Sequence, residues 1–94
     1  MAIEYTIERR GFYDGQNYTV ARKMRRDAAA RAAYSAVYGM LRDNALLDRP
    51  VANRLADEVN GADFRAPRVG REIEWRFRLG DIENQSVRVI ARHI

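Results

Sequence analysis

Residues 3–8 alternate without a break: Ile3, Tyr5 and Ile7 stand between Glu4, Thr6 and Glu8. A period of two puts the apolar side chains on one face of an extended strand and the polar ones on the other. The start of the chain therefore calls for a sheet with one buried and one wetted face. Asp14-Gly15 follows, a pair favoured in two-residue hairpin turns, and Tyr18-Thr19-Val20-Ala21 returns as a second strand. A turn centred there sets Arg9 opposite Val20, Ile7 opposite Arg22 and Tyr5 opposite Met24. That register predicts a shared inner face of Ile3, Tyr5, Ile7, Tyr18, Val20 and Met24. It also pairs Thr6 with Lys23 and Glu4 with Arg25 on the outer face.

Asp27 then reads as the N-cap of an alanine-rich helix running to about Asn44. Ala30, Ala33, Tyr34, Val37 and Leu41 form its apolar stripe. Asp48 reads as the cap of a second helix with Pro50 in its first turn, Val51, Leu55 and Val59 buried, and Asn60-Gly61 as its stop. Residues 62–71 read as a loop punctuated by Pro67 and Gly70. Ile73, Trp75, Phe77 and Leu79 alternate with charged residues in a third strand. A turn through residues 80–84 leads to a fourth strand, from Val87 to about Ile94, with Val87, Val89 and Ala91 inward. The expected fold is α+β, in the order β-β-α-α-β-β: a four-stranded antiparallel sheet with both helices packed on one face. It forms a single domain over residues 1–94, with Tyr5, Tyr18, Tyr34, Trp75 and Phe77 as the heavy members of its core.

The chemistry available to such a domain is narrow. The 94 residues include no cysteine and one histidine, His93, so thiolate sites and multi-histidine metal sites are not expected. His93 lies one residue from the end of the sequence, where it reads as a sheet-edge residue rather than a positioned base. Asp63 followed by Glu74-Trp75-Arg76 resembles the Asp…Glu-x-Lys pattern of a large nuclease family. Arginine stays protonated where that family uses lysine, and two glutamates among arginines read as a solvated face. No phosphate-binding glycine loop is present. The reading is of a non-enzymatic protein without cofactor or metal. With acids at its N-terminus and no apolar run of 18 residues, it is expected in the cytoplasm, away from membranes.

Charge directs attention to binding. Lysine and arginine number 17 against 13 acids, for a formal net charge of +4, and Lys23 is the only lysine. Arginine forks onto phosphate and carboxylate alike, although a GC-rich genome also writes arginine where others write lysine. Three surfaces follow. The hairpin tip gathers Arg9, Arg10, Phe12, Tyr13, Tyr18 and Arg22, the composition of a protein-binding hot spot or of a base-stacking platform. The loop Arg65, Arg68 and Arg71 continues onto the outer sheet face as Arg76, Arg78, Arg88 and Arg92, a candidate phosphate-contacting surface in which Arg78 is expected opposite Arg88. The third is a ridge of small residues on the first helix, Ala28, Ala32, Ser35, Ala36 and Gly39. It suits either close packing of the second helix, through Ala52 and Ala56, or a homodimer contact; otherwise the protein is a monomer.

The hairpin running into a capped helix, Tyr18-Thr19-Val20-Ala21 through Asp27-Ala28-Ala29-Ala30-Arg31-Ala32, resembles the layout of some phage anti-CRISPR proteins over residues 3–43. The resemblance implies an inhibitor that blocks a host nuclease complex by occupying its surface. The leading expectation is thus a protein that binds a partner protein through the hairpin tip and the Arg65–Arg71 loop. A phosphate-binding, nucleic-acid domain is the alternative.

Overall fold

The computed structural model describes residues 2–10, 15–79 and 85–94. Four strands, β1 (Ile3–Arg10), β2 (Asn17–Lys23), β3 (Glu72–Arg78) and β4 (Ser86–His93), form one antiparallel sheet in the order β2-β1-β4-β3. Two helices, α1 (Arg26–Asp43) and α2 (Pro50–Gly61), lie between β2 and β3 in sequence and cover its inner face. The fold is α+β with the expected order of elements. No helix among the described residues is long and apolar enough to cross a membrane.

The inner face holds Tyr5 and Ile7 from β1, Val87, Val89 and Ala91 from β4, and Phe77 from β3, all buried. β1 and β4 obey their period-two pattern because each has a neighbour on both sides and a helix above. Ile73 and Trp75 are only half-buried, since β3 is an edge strand. β4 is an interior strand, so His93 is not a sheet-edge residue. It sits opposite Ile3, and its Nε2 lies 2.8 Å from the Pro67 carbonyl.

The hairpin departs from the expected register. Tyr5 pairs with Lys23, Thr6 with Arg22 and Ile7 with Ala21; beyond a bulge, Glu8 pairs with Thr19, Arg9 with Tyr18 and Arg10 with Asn17. Val20 is the additional residue. Arg22 therefore falls on the outer face opposite Thr6. The Glu4–Arg25 and Thr6–Lys23 pairs do not form: Glu4 is held by Arg92 at 3.2 Å, and Arg25 meets Asp27. Residues 11–14 and 80–84, and with them the two turns, Phe12 and Tyr13, lie outside the described residues.

Helix α1 is rotated from its expected setting. Its buried side is Ala29, Ala33, Ala36, Val37, Met40 and Leu41, a stripe at helical spacing whose alanines let the helix lie close on the sheet. Tyr34 falls on the flank, 46% exposed, and Tyr18 is 48% exposed, so neither belongs to the core. Asp27 stands inside the first turn rather than at the cap, which is Arg25; α2 is capped by Arg49 rather than Asp48, with Pro50 in its first turn. At its end, α1 closes in a Schellman arrangement: Leu46 N donates to Leu41 O at 2.9 Å and Ala45 N to Arg42 O at 3.0 Å. Ala45 occupies the left-handed position with φ 55°.

Phe64 supplies the core member that sequence periodicity does not show. It lies between elements, is 1% exposed, and meets Trp75 edge-on with centroids 5.0 Å apart and Phe77 at 6.4 Å. Its φ is +47°, a region costly for a bulky residue. The Tyr5 hydroxyl donates to the Phe64 carbonyl at 2.7 Å, and Arg26 Nε donates to the carbonyl of Asp63. Arg71 N donates to Arg68 O at 2.9 Å across a turn whose third residue is Gly70 at φ +78°, the conformation that position of a type II turn requires.

Four outcomes are expected in denaturant and thermal melts. Phe64→Ala is expected to cost about 3–5 kcal/mol, and Tyr5→Phe about 1–3 kcal/mol through the carbonyl left without its donor. Burial holds the Tyr5 phenol above the ordinary tyrosine range. The unfolded chain thus loses that proton first as pH rises, and stability falls above the ordinary value. The loss between about pH 8 and pH 11 should be smaller in Tyr5→Phe than in the parent. Ala45→Gly is expected to raise stability by up to about 1 kcal/mol by relieving the left-handed alanine.

Candidate binding groove

Along one side of α1 the sheet is left partly uncovered. α1 rides over the central strands, and α2 packs on its far side, towards β3. The inner face of edge strand β2 therefore looks into an open groove of about 500 Å³. The wall from α1 is Ala28, Arg31, Ala32, Ser35, Ala36, Gly39 and Arg42, one stripe at spacings of three and four. The opposite wall is Val20, Ala21 and Lys23 of β2, with Arg9 of β1 at one end. The bulge at Val20 is what brings two consecutive residues of β2 to this side. Val20 remains 42% exposed.

The groove pairs an apolar floor with a cationic rim. Small side chains make the floor; Arg9, Lys23, Arg31 and Arg42 make the rim, and no carboxylate among the described residues lines it. Two carboxylates outside it hold three of these cations: Asp43 meets Arg9 at 3.1 Å and Arg42 at 3.8 Å, and Asp27 meets Arg31 at 3.6 Å. Lys23 meets no carboxylate among the described residues. Asp27 is held below the ordinary carboxylate range, chiefly by the Ala28 backbone N–H and then by Arg25 and Arg31. Its charge therefore persists to low pH and keeps Arg31 in place.

This groove joins parts of two surfaces that the sequence presented separately, the hairpin arm (Arg9) and the small-residue ridge. α2 does not fill the ridge. Ala52 and Ala56 instead line a second crevice on the other flank of α1, about 360 Å³, with Tyr34, Tyr38 and Leu47. That crevice was hidden in the sequence because Tyr34 has the spacing of a core residue.

The other expected site residues are dispersed. β1 runs from Ile3, beside the 62–71 loop, to Arg10 at the hairpin tip, about 23 Å away. The tip and the arginine loop thus occupy opposite ends of the sheet. Arg10 folds its guanidinium beside Gly15, and Tyr18 sits opposite Arg9. Arg65 is paired with Asp63 at 3.3 Å, whereas Arg68 and Arg71 are exposed and meet no carboxylate among the described residues. Asp63 is held below the ordinary carboxylate range, first by the backbone N–H of Arg65 and then by its guanidinium.

On the outer face Arg76, not Arg78, stands opposite Arg88. The like-charge contact is neutralised on both sides: Arg76 grips Glu74 at 2.6 Å, and Arg88 grips Glu8 through Nε at 2.8 Å and through Nη2. Arg92 takes Glu4, leaving Arg78 without a carboxylate among the described residues. Of the seven arginines expected to contact phosphates, Arg65, Arg76, Arg88 and Arg92 are therefore paired with carboxylates, and the set is spread along the sheet. Glu74 and Asp63, the carboxylates of the nuclease-like pattern, are each engaged by an arginine. Among the described residues no three metal-ligating side chains cluster. Comparison with family models, curated proteins and solved structures finds no match.

Gly39 tests whether the groove is built for room or for stability. A methyl group there would meet only Arg9 Nη1, at 3.5 Å, an ordinary contact. Glycine in a helix interior costs about 1 kcal/mol relative to alanine. Gly39→Ala is therefore expected to raise stability by about 0.5–1 kcal/mol, read as a higher melting temperature.

Proposed function

We propose that this chain is a non-enzymatic binding protein that engages a partner protein through the α1–β2 groove and acts by occluding the surface it covers. One observation carries the reading. A stripe of small residues, including a helical glycine, borders the uncovered inner face of an edge strand beneath a positively charged rim. Core packing explains the buried side of α1 but not this stripe, since α2 lies elsewhere. Every described residue lining the groove falls within residues 9–42, inside the hairpin–helix segment that resembles anti-CRISPR inhibitors. An inhibitor acting by bulk at a nuclease complex is the specific form of this proposal. The arginines of the 62–71 loop and of the outer face are not needed for it.

Selection of a display library of random peptides about 20 residues long, enough to span the groove in helical or extended form, tests this. Enriched peptides are expected to bind Ser35→Trp at least about tenfold more weakly, a difference of about 1.4 kcal/mol. Ser35 is exposed, so this variant should melt with the parent. Peptides that bind both proteins equally would overturn the reading. So would a single-stranded DNA oligonucleotide that binds with steep salt dependence through Arg68, Arg71 and Arg78, which would move the function to nucleic acid.

A further inference from the structure

We infer that the occupant of the groove is an acidic amphipathic helix of the partner protein, laid alongside α1. This rests on the reading of the groove as the binding surface and adds the chemistry of what enters it. Strands in a sheet are about 4.8 Å apart, and packed helices stand 8–10 Å apart. With α1 over the central strands and α2 towards β3, a helix packed at that distance on the open side of α1 would lie over β2 and its free edge. Ala28, Ala32, Ser35 and Gly39 recur along α1 at spacings of four, three and four. Small residues at that spacing let a second helix backbone come close. An extended segment pairing with the free edge of β2 would instead lie in the plane of the sheet, one strand further out, and would leave the groove empty.

Charge fixes the polarity of the occupant. Arg31 stands one turn inside the start of the α1 wall and Arg42 at its end, eleven residues or about 16 Å apart along the helix axis. Lys23 and Arg9 stand on the opposite side. The cations outnumber the two nearby carboxylates, Asp27 and Asp43. A facing helix thus gains most from carboxylates on both flanks of an apolar stripe, spread over about three turns. The apolar stripe covers Val20 and the alanine floor, which would otherwise remain wet. Among the described residues no aromatic side chain lines the groove, so a nucleic-acid strand would find phosphate partners there but no described stacking surface.

The probe is a designed, fluorescein-labelled peptide of roughly 18 residues, five helical turns, with a leucine–alanine stripe flanked by glutamates. Its controls are the same peptide with lysine for glutamate and one broken by two prolines. Anisotropy at low salt is expected to show saturable binding of the acidic peptide, helix induction by circular dichroism, and amide shifts at Val20, Ala32, Ser35 and Gly39. Arg31→Glu and Arg42→Glu, both at exposed positions, should each weaken it by about tenfold, and the lysine peptide should not bind. Equal binding of the proline-broken peptide, shifts confined to the outer sheet face, or no binding of the acidic peptide would each overturn the inference. Library peptides that need the groove but are neither acidic nor helical would overturn it while leaving the groove reading intact. A library with no groove-dependent member would remove both.

Discussion

The hydrogen bond from the Tyr5 hydroxyl to the Phe64 carbonyl joins the first strand to a segment 59 residues later in the chain. It fixes a backbone conformation that phenylalanine would not choose, and so keeps the Phe64 ring wedged against Trp75 and Phe77. That wedge fills the space beneath β3, an edge strand whose inner face is otherwise half covered. The same loop is tied down by Arg26 at its start and by His93, through Pro67, further along. The first residue of α1, the end of β4 and the inner face of β1 thus converge on one short connection. The position of α1 over the sheet depends on that convergence, and the groove depends on the position of α1.

The sequence revealed the elements and their order because each strand and helix carries its own period. What it concealed was the phase between them. A bulge adds one residue without disturbing the composition of β2, so alternation predicts the strand but misplaces Arg22, Lys23 and Val20. Tyr34 has the spacing of a core residue and the bulk to fill a core. The alanines of α1 nevertheless bury better against a flat sheet, and the tyrosine is left on the flank. Phe64 has no periodic neighbours at all. Its role is set by tertiary contacts with rings that follow it by eleven and thirteen residues.

The candidate site was legible as parts and illegible as a whole. Arg9 and the small-residue ridge were each visible, one as a charge in a hairpin and the other as an unusual glycine in a helix. Their proximity follows from the packing of α1 over β1 and β4 with one side turned towards β2, which local patterns do not encode. Conversely, counting arginines overstated the basic surface. Glu4 and Glu8 sit in register beside Arg92 and Arg88, and only the observed pairing of strands shows that they cancel; Glu74 takes Arg76 two residues along its own strand.

The bulge in β2 has a consequence for how the molecule behaves in a crowd. A regular edge strand offers a row of free backbone groups to any other strand, its own copies included. Val20 interrupts that row, and the cationic Arg22 and Lys23 beside it repel an identical edge. On the opposite edge, β3 presents Glu72, Glu74, Arg76 and Arg78 in alternation with its apolar residues. The protein can thus keep an apolar groove open next to an exposed strand without inviting growth of the sheet into fibres.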